Sequence, residues 1–278
     1  MTAMSAALTA DRSLRSVALS RSRIALTYAW RHRRLVNLRA AVRFTDHVQH
    51  RKLFDRDARM PALADKVRVK EHVARVLGPE WVIPTLWHGT CLPERYDWAR
   101  PFVVKSRHGC NQTAFVRHGS EDWDAIRGDA AKWTARRYGF WLDEWLYAHV
   151  PRGLIVERFV GEDGTLPIDY KLFVFGGRVQ YVQVHLGREH AHRWLVFDRD
   201  WRCVSLPTLD TPPPPATLPA MIAAAEELAR AFDFVRVDFY EIGARPLFGE
   251  MTFYPGSGLG RFDPVELDDR MGACWLQG

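Results

Sequence analysis

The chain is poor in lysine. Only six lysines occur, at positions 52, 66, 70, 105, 132 and 171, against 33 arginines. A sequence that defaults to arginine keeps lysine where a compact ammonium fits and a planar guanidinium does not, so these six are the first candidates for functional cations. Cysteine is also scarce: Cys91, Cys110, Cys203 and Cys274 are scattered, with no C-x-x-C pair. That excludes a disulfide framework and a cysteine zinc site, and it suits a reducing compartment, the cytoplasm being the expected location. No apolar run reaches the roughly 18 residues of a membrane-spanning helix, and no G-x-x-x-x-G-K-[ST] phosphate loop, internal repeat or long low-complexity tract occurs.

Acidic residues are missing from one stretch altogether. Residues 12–43 hold nine arginines and no Asp or Glu, so the formal charge of +6 falls to −3 without them. The body is therefore not a basic nucleic-acid binder. The first 45 residues read as an amphipathic helical arm, fitting a transit peptide, a membrane-surface helix that would sit at the inner membrane face, or a solvated and partly disordered extension. A secretory signal is not expected, because no clean apolar segment precedes a small-residue cleavage site.

What remains reads as alternating short elements. Residues 64–73 open a helix that ends near Gly78-Pro79. Residues 101–105 form a buried strand that runs through the polar segment 106–112 into a returning strand, 113–117. Lys105 thus ends a strand at the mouth of a small loop, where backbone N–H groups can lie over phosphates. Residues 121–149 look helix-rich, with Trp141 and Trp145 as core packing at i, i+4. A buried strand follows at 154–160. Strands at 169–175 and 178–184 form a hairpin around Gly176-Gly177 that carries Lys171. His185, His190 and His192 lack a Cys or carboxylate at ligand spacing and read as surface residues. The proline run 212–215 leads to a helix near 218–231 with an apolar stripe of Met221, Ile222, Ala225, Leu228, Ala229 and Phe232.

Residues 235–258 say most about chemistry. Two strand-like runs, 235–240 and 247–253, flank a turn built on Gly243 and Pro246. If Ile242 faces Pro246, Asp238 lies opposite Glu250 and Arg236 opposite Thr252, all on one face, while Val235, Val237, Phe239, Gly249, Met251 and Phe253 take the other. Opposed like charges repel. A carboxylate pair held this way calls for a cation between its members, and hard oxygen ligands suit Mg²⁺. The alternative is a solvent-facing hairpin with one unfavourable charge pair.

Taken together, "RKLFDRDARMPALADKVRVKEHV", "FVVKSRHGCNQTAFV", "LIVERFV", "DYKLFVFGGRVQYVQ" and "FDFVRVDFYEIGARPLFGEMTFYPGSG", spread over roughly residues 50–260, resemble the TupA-like ATP-grasp family, named for teichuronopeptide biosynthesis. The resemblance implies an α+β ATP-grasp fold, two lobes sandwiching ATP behind an N-terminal helical extension. It divides the chain into an arm (1–45), a small N-terminal lobe (46–100), a lid subdomain (101–165) and a catalytic subdomain (166–278). It implies that Lys105 and Lys171, with Lys66 as a third, contact ATP phosphates. The Gly109 loop would form the lid, and the strand from Glu157 to Val160 a hinge whose backbone meets adenine. Asp238, Glu250 and Thr252 would hold Mg²⁺, Thr252 standing where related ligases carry Asn, and Arg236 would face the reacting carboxyl group. The activity implied is an ATP-dependent carboxylate–amine ligase of cell-surface polymer or related secondary biosynthesis, acting on small-molecule or polymer-linked acids and amines. An ATP-grasp phosphotransferase, and a catalytically inactive nucleotide-binding or membrane-docking module worked by the arginine arm, are the alternatives.

Overall fold

The computed structural model describes residues 14–161, 164–205 and 211–277; Arg12 of the basic arm lies outside them. Two antiparallel sheets organise the chain. The larger has the order β7-β6-β5-β8-β9, built from Asp169–Phe175 (β5), Arg178–Leu186 (β6), Arg193–Asp198 (β7), Phe234–Ile242 (β8) and Arg245–Thr252 (β9). Gly176 and Gly177 join β5 to β6 with φ of 52° and 75°, left-handed values that glycine adopts without steric cost.

Register divides the labour on this sheet. Lys171, Phe173 and Phe175 of β5 pair with Asp238, Arg236 and Phe234 of β8, so all six side chains share one face. At one end of that face Phe173, Phe175 and Phe234 form an aromatic base with Phe44, whose ring lies 5.6, 6.1 and 5.1 Å from theirs. Phe44 opens the helix Phe44–Phe54 (α2), and Trp275 of the C-terminal helix Glu266–Gln277 closes the same nest. The other end of the face carries the charged residues. On the reverse side Leu172, Val174, Val235 and Val237 are fully buried. Helix Leu218–Ala229 packs against β5, β6 and β8, and Met221, Ala225, Leu228, Ala229 and Phe232 of its expected stripe are buried.

The smaller sheet has the order β1-β4-β2-β3, from Thr85–Gly89 (β1), Phe102–Ser106 (β2), Thr113–Val116 (β3) and Leu154–Arg158 (β4). Val103 and Lys105 share one face with Ile155 and Glu157. Phe102, Val104, Leu154 and Val156 take the other, packed with Trp98 and Trp123. Residues 46–100 are thus shared out: α2 joins the base of the larger sheet, whereas β1 is a strand of the smaller one. Helix content between residues 121 and 149 is lower than expected. A helix spans Trp123–Ala135, after which two 3₁₀ turns, Phe140–Leu142 and Trp145–His149, flank Asp143 in left-handed conformation (φ 57°). Trp145 is buried as expected, but Trp141 is 64% exposed, because that left-handed residue breaks the i, i+4 relation.

The arm forms helix Leu14–His32 (α1) and is tied to the body. Arg23 forks onto Asp143 at 2.7 and 2.5 Å, Ser20 donates to the same carboxylate at 2.7 Å, and the fully buried Tyr28 meets Thr45 at 2.9 Å. Arg34 pairs with Asp268. The outward side of α1 shows Leu19, Leu26 and Trp30, each about 70% exposed. No helix among the described residues is long and apolar enough to cross a membrane.

The C-terminal helix rests on the 42–43 backbone at Gly272, where an added Cβ would overlap the Val42 carbonyl and the Arg43 main chain. Gly272→Ala is expected to cost about 1–3 kcal/mol through forced backbone displacement, read as a lower unfolding midpoint in urea. An unchanged midpoint would show that this packing is slack.

Candidate functional site

The β8–β9 hairpin has the expected register where it matters. Arg236 pairs with Thr252 and Asp238 with Glu250. Toward the tip the register differs: Ile242 faces Arg245, and Pro246 faces Glu241. A β-bulge between Asp238 and Phe239 absorbs the one-residue offset, with Gly249 as the extra residue on β9. An extra residue in one strand re-aims its neighbours and tightens the twist. Gly249 suits that place, since a Cβ would come within 3.1 Å of the Asp238 carbonyl.

The four polar side chains meet as one network. Arg236 reaches Asp238 through Nε and a terminal nitrogen, both at 2.7 Å, and the same terminal nitrogen lies 3.1 Å from Glu250 Oε1 and 3.1 Å from Thr252 Oγ1. The guanidinium is therefore the cation between the opposed carboxylates. Lys171 adds a bond to Asp238 at 2.6 Å and another to Asp169 at 2.7 Å. Burial alone would weaken the hold of both cations on their protons. The carboxylates outweigh it, Asp169 and Asp238 for Lys171 and chiefly Asp238 for Arg236, and both groups hold their protons more tightly than usual.

The smaller sheet supplies a second network. Glu157 stands between Lys105, at 2.6 Å, and Lys70. Burial raises its carboxyl, but the two ammonium groups overcome this and bring it down to about 2. Lys105 is held above its ordinary value by the same pairing, against burial, whereas burial dominates at Lys70 and lowers it. Lys66 sits in the turn before helix Arg68–Val76 rather than inside it, and donates to the Gly109 carbonyl at 2.5 Å. At the expected adenine hinge, part of the backbone is already engaged. Glu157 is paired by Thr85 on one side and Val103 on the other, and the N–H groups of Arg158 and Phe159 already donate to Pro84 and Pro101. Glu157 enters the cleft through its side chain, and Val160 is not among the lining residues.

Between the sheets lies a cleft of about 690 Å³ lined by Lys66, Lys105, Gly109, Glu157, Lys171, Arg236, Asp238, Glu250 and Thr252. Of the residues expected from the sequence, all but Val160 therefore share one cavity. Lys70, one of the six candidate lysines, lines it too, and the sequence reading missed several others, among them Asp169, Glu144, Tyr147, Arg188 and Tyr240. Asp169 was within reach, since it stands two residues before Lys171 and must share its face; Glu144, in an irregular segment, carried no signal. His185 and His192, read as surface residues, also line the cleft, with Nδ1 of one 2.9 Å from Nε2 of the other. Burial, then Lys171 and Arg236, push the His185 imidazole down to about 2, so it is neutral. Buried Asp169 Oδ1, His185 Nε2, Glu144 Oε2 and Tyr254 OH have no hydrogen-bond partner among the described residues. Such orphaned polar atoms are costly unless a ligand engages them.

The donor set fits a magnesium ion. Asp238, Glu250 and Thr252 present hard oxygens on one face, and Mg²⁺ takes one or two protein carboxylates and completes its shell with phosphate oxygens and water. Among the described residues no group of three or more His, Cys, Asp or Glu gathers as a metal site, here or elsewhere, so two carboxylates and a hydroxyl are what this site offers. An ion here competes with Arg236 for Asp238, which already uses both oxygens.

Glu157 makes stability pH-dependent in a defined direction. Its folded value, about 2, lies below the ordinary carboxyl value of 4.5. Its contribution is therefore complete above pH 4.5 and lost as pH falls toward 2. Replacing Glu157 by Gln removes the counter-charge of buried Lys70 and partly buried Lys105, with an expected loss of about 3 kcal/mol at pH 7. Urea unfolding at pH 7 and pH 3 should show a shallower pH dependence for the variant; parallel curves would refute the pairing.

Comparison with known proteins gives the frame. No curated protein matches this chain. Among solved structures, a D-alanine–D-alanine ligase from Bacillus anthracis complexed with ATP is 12% identical, covering 69% of this chain and 54% of that one with a TM-score of 0.43. An L-amino acid ligase from Bacillus licheniformis is 12% identical over 73% of this chain and 43% of that one, TM-score 0.43. The VanG D-Ala:D-Ser ligase from Enterococcus faecalis is 13% identical over 78% and 61%, TM-score 0.46. The chain spans about half the length of the first two of these. The family model for TupA-like ATP-grasp proteins matches residues 46–276. With its α+β fold of two antiparallel sheets and its helical N-terminal segment, this chain belongs to the TupA-like ATP-grasp family.

Proposed function

We propose that the protein is an ATP- and Mg²⁺-dependent carboxylate–amine ligase that forms an amide through an acyl phosphate. One observation carries the reading: a single cleft gathers Lys105 from one sheet with Lys171, Arg236 and the Asp238–Glu250 pair from the other. Phosphoryl transfer needs alignment and charge neutralisation more than covalent help. Lys105 and Lys171, supported by Lys66 and Lys70, draw the phosphates into the cleft. The Gly109 loop, tethered through Lys66, covers them. When bound by Asp238, Glu250 and Thr252, magnesium would neutralise further phosphate charge. Arg236 orients the substrate carboxylate for phosphorylation and later stabilises the tetrahedral oxyanion. The turn Pro255–Gly258 lines the same cleft and adds backbone groups on the acceptor side. Enclosure by the two sheets shields the acyl phosphate from water. The acid and amine are drawn from cell-surface polymer or related secondary biosynthesis in this reading.

ADP release with panels of carboxylates and amines tests it. Release requiring both partners, with Asp238→Asn slower by roughly a hundredfold or more (about 3 kcal/mol of transition-state stabilisation), is the expected result. Undiminished release from that variant would refute the assignment of Asp238.

The outward face of α1, with Leu19, Leu26 and Trp30, followed by the exposed Arg33 and Arg39 after the helix ends, supports a further proposal, that the arm rests on an anionic membrane surface at the cytoplasmic side. Sedimentation with phosphatidylglycerol vesicles, weakening with salt and absent with phosphatidylcholine, is expected; equal binding to both lipids would refute it.

A further inference from the structure

The cleft is chemically lopsided. Its sheet side carries Lys105, Lys171, Arg188 and Arg236, which suit phosphates and a carboxylate, interleaved with Glu157, Asp169, Asp238 and Glu250, most of them paired with those cations. Its other side is formed by the segment around residues 138–147 and presents one acidic group, Glu144, among Tyr138, Trp141 and Tyr147.

Local geometry aims that carboxylate. Asp143 adopts left-handed backbone (φ 57°), so two consecutive carboxylates leave the chain in different directions. Asp143 is held by Arg23 and Ser20 of α1. Glu144 lines the cleft while only 6% exposed, and its Oε2 has no partner among the described residues. The nearby buried ammonium, Lys52, spends its donors on Gln49 Oε1 and on the Ser257 carbonyl and hydroxyl, at 3.0, 2.7 and 2.6 Å. A buried, partly satisfied carboxylate facing a cavity calls for a cationic or donor ligand, and the adjoining aromatic rings favour a cation.

We infer that Glu144 is the recognition group and proton acceptor for a cationic primary amine. The inference rests on the ligase reading and names the class of its second substrate. Glu144 takes one proton from the ammonium, and the freed nitrogen attacks the acyl carbon. The new C–N bond forms first and gives the tetrahedral oxyanion; its collapse breaks the C–O bond to phosphate, and the departing phosphate takes the remaining surplus proton. Burial raises the Glu144 carboxyl above its ordinary range, against the pull of Lys52 and Ser257, which makes it a stronger base than an exposed glutamate.

Saturation-transfer NMR with ethanolamine and putrescine as cationic probes and N-acetylethanolamine as a neutral one tests this, with and without Mg²⁺ and a non-hydrolysable ATP analogue. Wild-type protein is expected to saturate the amines and not the acetylated probe. Glu144→Gln should weaken amine binding roughly tenfold, and Glu144→Asp should retain most of it. Equal saturation of charged and neutral probes by the wild type, no saturation of either, or amine binding unchanged in a folded Glu144→Gln protein would overturn the inference. The wild-type comparison stands even if the Gln variant fails to fold. Amine capture without any substrate-dependent ADP release would sink the ligase reading and keep the amine site. ADP release from a protein that captures no amine would do the reverse.

Discussion

Two carboxylates face each other across neighbouring strands, and the Arg236 guanidinium lies between them. Without that cation, Asp238 and Glu250 would repel across directly paired positions of the sheet. Arg236 suits the position because its planar fork reaches Asp238 through two nitrogens while still touching Glu250 and Thr252. Lys171 then becomes necessary as well as useful. Asp169, Asp238 and Glu250 outnumber one guanidinium; Lys171 narrows the excess to one negative charge, and Arg188, 3.9 Å from Asp169, offsets the rest. Networks of this kind stabilise only when every member is satisfied, so removing any one member is felt by the rest.

The same sheet face also explains where the cleft can be. At one end phenylalanine rings seal the surface under α2 and the C-terminal helix; at the other, charge forbids such a cover, and the second sheet stands off across open space. What closes the rim is assembled from distant parts of the chain. The Pro255–Gly258 turn is held by Gln49 and Lys52 from α2 and by His32 from α1, which reaches the Gly258 carbonyl at 3.0 Å. The 138–147 segment is held by Arg23. The basic arm is thus partly structural: some of its arginines brace the walls of the cleft, and others remain on the outside.

Legibility followed periodicity. The charged face of β8–β9 could be read because strand side chains alternate and because Gly243 and Pro246 mark the turn. Lys171 stood out through the scarcity of lysine, and the helix at 218–229 through its apolar stripe. What could not be read came from irregular backbone or from partners far apart in sequence. Asp143 and Glu144 diverge because of a left-handed residue that no pattern announces. His185 looked like surface in one dimension, since nothing nearby in sequence tells that β6 carries it beside Lys171 and Arg236. Glu157 was read for its backbone, and its pairing through the side chain with Lys70 and Lys105 could not be seen, because those lysines are far away in sequence. Arg236 was expected to face substrate, and its position between the carboxylates became visible only once β5, β8 and β9 lay side by side.

The bulge at Gly249 separates the hairpin into two parts that can change independently. Below it the pairing of Asp238 with Glu250 is locked; above it the strands run one step out of phase. Lengthening or shortening the loop at residues 243–244 can therefore be absorbed in the upper part without turning the charged side chains to the wrong side. The tip can change length and shape while the charged pair beneath keeps its register.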